Sequence, residues 1–141
     1  MNPKVMKLHQ GTAKWFEMVG LLMSEAASRS GLDPHQNVSV LERYTDGVEL
    51  SNGLYQGFRF DIVNGKPSFR VGVMIDETAD IVMHVSAEAA RRLNLIPSTD
   101  PEYLVMVKAY HTTGKLAVDG DLSKLGEWFV QVHDLIVDRT R

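Results

Sequence analysis

Apolar and polar positions alternate with two different periods along this chain, and the change of period predicts the order of its elements. From Leu8, apolar side chains recur at Trp15, Val19, Leu22 and Ala26, with Met18 alongside, at helical spacing. Asn2-Pro3 reads as a helix start, and Gly31 and Pro34 mark the end. One unbroken helix from Pro3 to Ser30 would run about 42 Å at 1.5 Å per residue. That is long for a chain whose expected radius of gyration is about 14 Å. A break near Gly11 is therefore predicted, with the main helix beginning around Thr12.

From Val38 the period shortens to two. Val38, Val40 and Leu41 are strand-forming, Thr45-Asp46-Gly47 is a turn, and Ser51 to Gly57 reads as a loop. The strongest hairpin signal follows: Phe58 to Val63, then Asn64-Gly65, then Lys66 to Val73. Asn-Gly favours a two-residue type I′ turn, which pairs Val63 with Lys66. That register sets Phe60 opposite Phe69 and Phe58 opposite Val71 on one face. Arg59 then meets Arg70, and Asp61 meets Ser68, on the other. Apolar meets apolar, so the register is self-consistent, although the two arginines repel unless Asp61 bridges them diagonally. One face of the sheet is expected to be dry and covered by helices, the other wet. The dry face should carry Phe60, Phe69, Val71, Val73, Met83 and Leu116.

Asp80 to Val85 continues the alternation, with Ile81, Met83 and Val85 pointing one way, and Ser86 can cap a helix over Ala87 to Leu95. Tyr103 to Tyr110 has strand propensity. Asp100-Pro101-Glu102 nevertheless supplies a cap, an N1 proline and an early acid, so a helix is predicted there. Lys115 to Val118 is a short strand between Gly114, which stops the preceding helix, and Gly120. Asp121 is the expected cap of a final helix with Leu125, Phe129, Val132 and Ile136 on one stripe.

With 141 residues, 44% hydrophobic and 23% charged, the chain is sized for one globular domain. A net charge of −3 gives no basic face for nucleic acid. The absence of cysteine excludes disulfides, thiol catalysis and cysteine-ligated zinc, and fits a cytoplasmic location. The apolar run Trp15–Met23 is broken by Glu17 and falls short of the roughly 20 residues of a membrane span. No targeting segment is read, and Asp138-Arg-Thr-Arg141 is not a peroxisomal address.

Candidate chemistry is sparse. His9, His35, His84, His111 and His133 are not spaced as metal ligands. His133-Asp134 invites comparison with metal-dependent phosphohydrolases, but the further histidines those need are missing. No serine has a Gly-x-Ser-x-Gly context, and no glycine run cradles a phosphate. The excess is of apolar surface: Trp15–Met23, Tyr103–Val107 and Trp128–Leu135 are apolar over more than one helical face. Such faces can be buried in a core, at a homodimer interface or against a bound lipid.

The segment Gly114-Lys-Leu-Ala-Val-Asp-Gly-Asp121 is similar to the glycine-bracketed last strand of sterol carrier protein type-2 domains. Asp80 to Leu95 resembles the strand-to-helix step before it. The resemblance covers roughly residues 58–137, with 1–57 placed by element order. It implies an α+β fold over residues 1–141: a five-stranded, mainly antiparallel sheet, helices on one face, and an apolar tunnel between them. It also implies binding or transfer of a fatty acid, acyl-CoA, sterol or related lipid without catalysis or cofactor, or presentation of an apolar substrate to a partner enzyme. Only lining positions can then be nominated: Phe60, Val71, Val73, Met83 and Leu116 from the sheet, and Leu104, Val107, Phe129, Val132 and Ile136 from the helices.

Overall fold

The computed structural model describes residues 6–141, so the helix start expected at Asn2-Pro3 lies outside the described residues. Helix α1 spans Ala13–Arg29, and the Thr12 hydroxyl accepts a hydrogen bond from the Trp15 amide at 3.2 Å. Gly11 immediately before it has φ +86°, a conformation that ends one direction of chain and begins another.

Six strands form one sheet: β1 (Val38–Tyr44), β2 (Glu49–Ser51), β3 (Leu54–Val63), β4 (Lys66–Val73), β5 (Ile81–Val85) and β6 (Leu116–Asp119). β3 is the hub, pairing antiparallel with β1, with β4 and, at its N-terminal end, with β2. β1 also pairs with β5, the one parallel step, and β5 pairs antiparallel with β6. The strand beyond the expected five is β2. Its residues fall partly in the stretch read as a loop, where Asn52-Gly53 takes positive φ (50° and 77°) just as Asn64-Gly65 does (50° and 71°). The same dipeptide makes a second tight turn, and the loop is a hairpin.

The β3–β4 register is the predicted one: Val63↔Lys66, Asp61↔Ser68, Phe60↔Phe69, Arg59↔Arg70 and Phe58↔Val71. Beyond Phe58 the pairing slips, so that Tyr55 meets Val73, and Gly72 sits at φ +86°. The extra residue is on β3, where Gln56 and Gly57 stand opposite Gly72 alone, and the left-handed Gly72 breaks the alternation on β4. Val73 is buried in consequence, but outside the helix-side core to which Phe60 belongs.

Helices α2 (Ala87–Leu93, capped by Ser86), α3 (Pro101–Thr113, capped by Asp100) and α4 (Trp128–Val137) join α1 over the dry face. Asp121 does not cap α4. Its carboxylate accepts from the Ser123 amide at 3.0 Å and caps a 3-10 turn over Leu122–Leu125. Gly126, at φ 114°, separates that turn from α4, which begins with no side-chain cap.

The segment between β4 and β5 has to cross β3 and β1, and it does so on the wet face. Arg43 donates to the carbonyls of Met74 (2.9 Å) and Glu77 (2.8 Å), and Arg59 to that of Thr78 (2.8 Å). Asp80 closes the strap by accepting from the amide (2.9 Å) and hydroxyl (3.1 Å) of Ser39. Asp61 takes only Arg59, at 3.1 Å, while Glu77 pairs with both Arg59 (3.2 Å) and Arg70. Burial pushes the Glu77 carboxyl up, but the Met74 amide and the two guanidinium groups outweigh it and hold it below the usual range. The repulsion foreseen between Arg59 and Arg70 is resolved by a residue of the strap.

Two outcomes are expected. Glu77→Gln should lower stability by about 2 kcal/mol, because charge-assisted hydrogen bonds of a side chain only 7% exposed are lost. Because the native Glu77 pKa is depressed, its contribution is full above the unfolded value and fades as pH falls through the native one. A urea midpoint unchanged at pH 7 would show that the arginines find other partners. Gly20→Ala should destabilise by about 1–3 kcal/mol despite its better helix propensity, since a Cβ there would overlap the Phe69 ring. A gain in melting temperature would show that α1 can lift from β4 at little cost.

Candidate functional site

Helix α3 explains where the fold keeps open space. Its Tyr103, Met106, Val107 and Tyr110 face the body of the protein, yet none of its 13 residues is fully buried. It bridges a gap instead of filling it. Beneath it lies a cavity of about 550 Å³. Its floor is Glu42, Phe58, Met83, Val85, Leu116 and Val118 of the sheet. α1 supplies Trp15, Val19 and Met23, and α2 supplies Ala90 and Leu93 with its C-cap Asn94. The roof is Tyr103, Val107 and His111 of α3 with Phe129, Val132, His133 and Ile136 of α4. Exposed wall residues His111, Ser123, Glu127 and Val130 mark the opening, between α3 and the start of α4. A wider depression of about 790 Å³ lies between the end of α1 and α4, but charged Glu25, Arg29, Lys124 and Arg139 line it.

Of the positions nominated from the sequence, Met83, Val107, Leu116, Phe129, Val132 and Ile136 come together on the cavity wall. Phe60 is packed solid instead, its ring 5.6 Å from that of Trp128. Val71 is half-buried against the core and away from the cavity, Val73 is displaced by the bulge, and Leu104 points outward at 62% exposure.

Two of the histidines have structural partners. His84 pairs on the wet face with Asp119 at 3.2 Å. His133 has its Nε2 2.9 Å from the Ile96 carbonyl, which can only accept, so that nitrogen carries the proton. Its ring lies 4.5 Å from that of Tyr103. Asp134 accepts from the Ser98 amide (2.7 Å) and hydroxyl (2.6 Å), which ties α4 to the α2–α3 connection. Among the described residues no group of three or more His, Cys, Asp or Glu could hold a metal ion.

Glu42 is the residue that sequence reasoning missed. Counting by twos from Val38 and Val40 places it on the dry face with Tyr44, and the structure sets its Cα beside those of Phe58 and Met83. Its carboxylate has no hydrogen-bond or ion-pair partner among the described residues, and burial alone raises its pKa from 4.5 to about 7. The same burial, reinforced by the charge on Glu42, pushes Tyr44 well above its ordinary value, although Gln10 hydrogen-bonds its hydroxyl. Tyr103, His111, His133 and Glu127 are the other titratable groups on the cavity wall, and no lysine or arginine is among them.

This arrangement has a measurable pH signature. The native Glu42 carboxyl holds its proton more tightly than the unfolded one. Its cost to stability is absent below about pH 4.5, grows as pH rises, and is complete above about pH 7. The ceiling is about 3 kcal/mol. Glu42→Gln should therefore gain stability relative to wild type between pH 5 and pH 8. Equal pH dependence of the two unfolding free energies would place the carboxylate in water.

No family model and no curated protein matches the chain. Solved structures similar to it include the UbiJ-SCP2 ubiquinone synthesis protein, at 14% identity over 89% of each chain with a TM-score of 0.47. Sterol carrier protein domain 2 of Helicoverpa armigera matches at 14% identity over 100% of this chain and 96% of that one, TM-score 0.44. Sterol carrier protein 2 of Aedes aegypti, solved with a C16 fatty acid, matches at 14% identity over 89% and 97%, TM-score 0.41.

Proposed function

We propose that this protein binds an apolar molecule of the lipid class, without chemistry of its own, in the cavity between the sheet and α3–α4. The observation that carries the reading is the cavity itself. About 550 Å³ lined by Trp15, Met23, Met83, Leu116, Phe129 and Ile136 lies within the roughly 300–1,000 Å³ typical of small-molecule sites. Burying about ten methylenes at about 0.8 kcal/mol each yields about 8 kcal/mol gross, which corresponds to a micromolar dissociation constant before ordering costs. Long-chain fatty acids, acyl-CoA thioesters and sterols are the candidate ligands, carried by a single lipid-binding domain over residues 1–141.

Presentation of the bound molecule to a partner enzyme is the second reading. It is favoured by the apolar side chains exposed on the helices that roof the cavity: Leu104 and Val105 of α3 and, at the opening, Val130 of α4, the last 76% exposed. Among the described residues no helix is long and apolar enough to cross a membrane.

Affinity should rise up to about fourfold per added methylene until the cavity is full, and then level off. Titration of the folded protein with saturated chains of graded length reads this directly. Val132→Glu, at a position 2% exposed on the cavity wall, should abolish binding. Val107→Trp, on the loosely packed α3, should shorten the preferred chain while leaving the fold intact by circular dichroism. Absence of saturable binding for every fatty acid, sterol and acyl-CoA tried would overturn the reading.

A further inference from the structure

We propose that Glu42 is the polar anchor of the cavity and selects apolar molecules whose inner end carries an O–H or N–H donor, an alcohol or an amine, over those that carry a carboxylate. The inference rests on the reading of the cavity as a binding site and adds the class of head group.

Glu42 stands on the sheet floor with Phe58 on one neighbouring strand and Met83 on the other. The cavity reaches it, since the residue is only partly buried and lines the space. No side chain or backbone amide among the described residues donates to it, while burial raises its pKa. A carboxylate in apolar surroundings without a donor is costly, and any group that donates to it recovers part of that cost. A bound alcohol or amine can do this.

A ligand carboxylate cannot. No lysine or arginine lines the cavity, so an acid entering head first would bring a second negative charge against Glu42 with no cation to offset it. An acid can enter tail first, with its head in water near His111 and Glu127 at the opening. Glu42 then stays unpaired against a methyl group. Both orientations leave Glu42 without a donor.

Titration calorimetry with dodecanol, dodecylamine and dodecanoate at pH 8, below their aggregation limits, tests this on wild type, Glu42→Gln and Glu42→Leu. Wild type should bind the alcohol and the amine at least about tenfold more tightly than the acid, the scale of one hydrogen bond to a charged group. Glu42→Leu should bring the alcohol and the acid within about threefold of each other. Glu42→Gln, which carries no charge and whose amide accepts from an alcohol and donates to a carboxylate, should lose the preference for the amine and narrow that for the alcohol over the acid. Lowering the pH to 5.5 should weaken the amine more than the alcohol, since a protonated Glu42 no longer pairs with an ammonium. Dodecanoate binding wild type as tightly as the other two, or an unchanged order in Glu42→Leu, would overturn the anchor and leave the apolar cavity standing. If none of the three binds, the binding-site reading falls as well. Should Glu42→Leu not fold, the order in wild type and Glu42→Gln decides alone.

Discussion

The close approach of α1 to β4 at Gly20 and Phe69 sets the geometry of everything on the helix side. A side chain at position 20 would hold the helix off the sheet. Its absence lets Phe16, Val19 and Met23 reach the β1 and β3 residues Tyr44, Phe58 and Phe60, all of them buried. Trp15 extends the seal to the C-terminus through its indole N–H, which donates to the Thr140 hydroxyl at 2.9 Å. The helix side is thereby packed over β3 and β4, and Trp15, Val19, Met23 and Phe58 at the edge of that packing form one wall of the cavity. The part of the sheet toward β5 and β6 is left to short α2 and to α3, which has no fully buried residue. A cavity forms where dense packing stops, and its position follows from which helix can approach closely.

The opposite face obeys a different constraint. A sheet in which β5 lies beside β1 while β4 lies beside β3 needs a chain crossing between them. That crossing carries backbone carbonyls which must find donors. Arg43 and Arg59 supply them, and Glu77 offsets the charge that two neighbouring strands concentrate at Arg59 and Arg70. The wet face is thus a clamp for the strap as well as a solvated surface. It also explains why Leu41 and Val73 are buried without belonging to the helix-side core.

What was legible in the sequence was whatever a local rule determines. Asn64-Gly65 specified a register that holds pair by pair to Phe58, and Asp100-Pro101 overrode the strand propensity of Tyr103–Tyr110. The second Asn-Gly at 52–53 obeyed the same rule and was passed over because no strongly alternating run precedes it. Asp121 and Val73 went astray at glycines. Gly126 and Gly72 each interrupt an element whose period, continued on paper, runs straight through them. Leu104 was misplaced because α3 is apolar on more than one side, so periodicity could not tell its inner face from its outer one. Glu42 was legible by parity from Val38 and Val40, but an isolated acid on a strand attracts no motif rule.

Glu42 bears on both the stability of the fold and the chemistry of the cavity. Burial on the apolar floor raises the Glu42 pKa to about 7, so ionising this carboxyl costs stability. Dense packing over it would bury it without a partner, which is the costliest arrangement. Keeping α3 loosely seated avoids this by leaving the carboxyl a space that a third party can enter. Helices α3 and α4 leave Leu104, Val105 and Val130 exposed. A donor-bearing apolar ligand answers both defects at once, since its head satisfies the carboxyl and its chain fills the space under α3. On the proposed reading, the binding energy of such a ligand adds to the stability of the occupied fold.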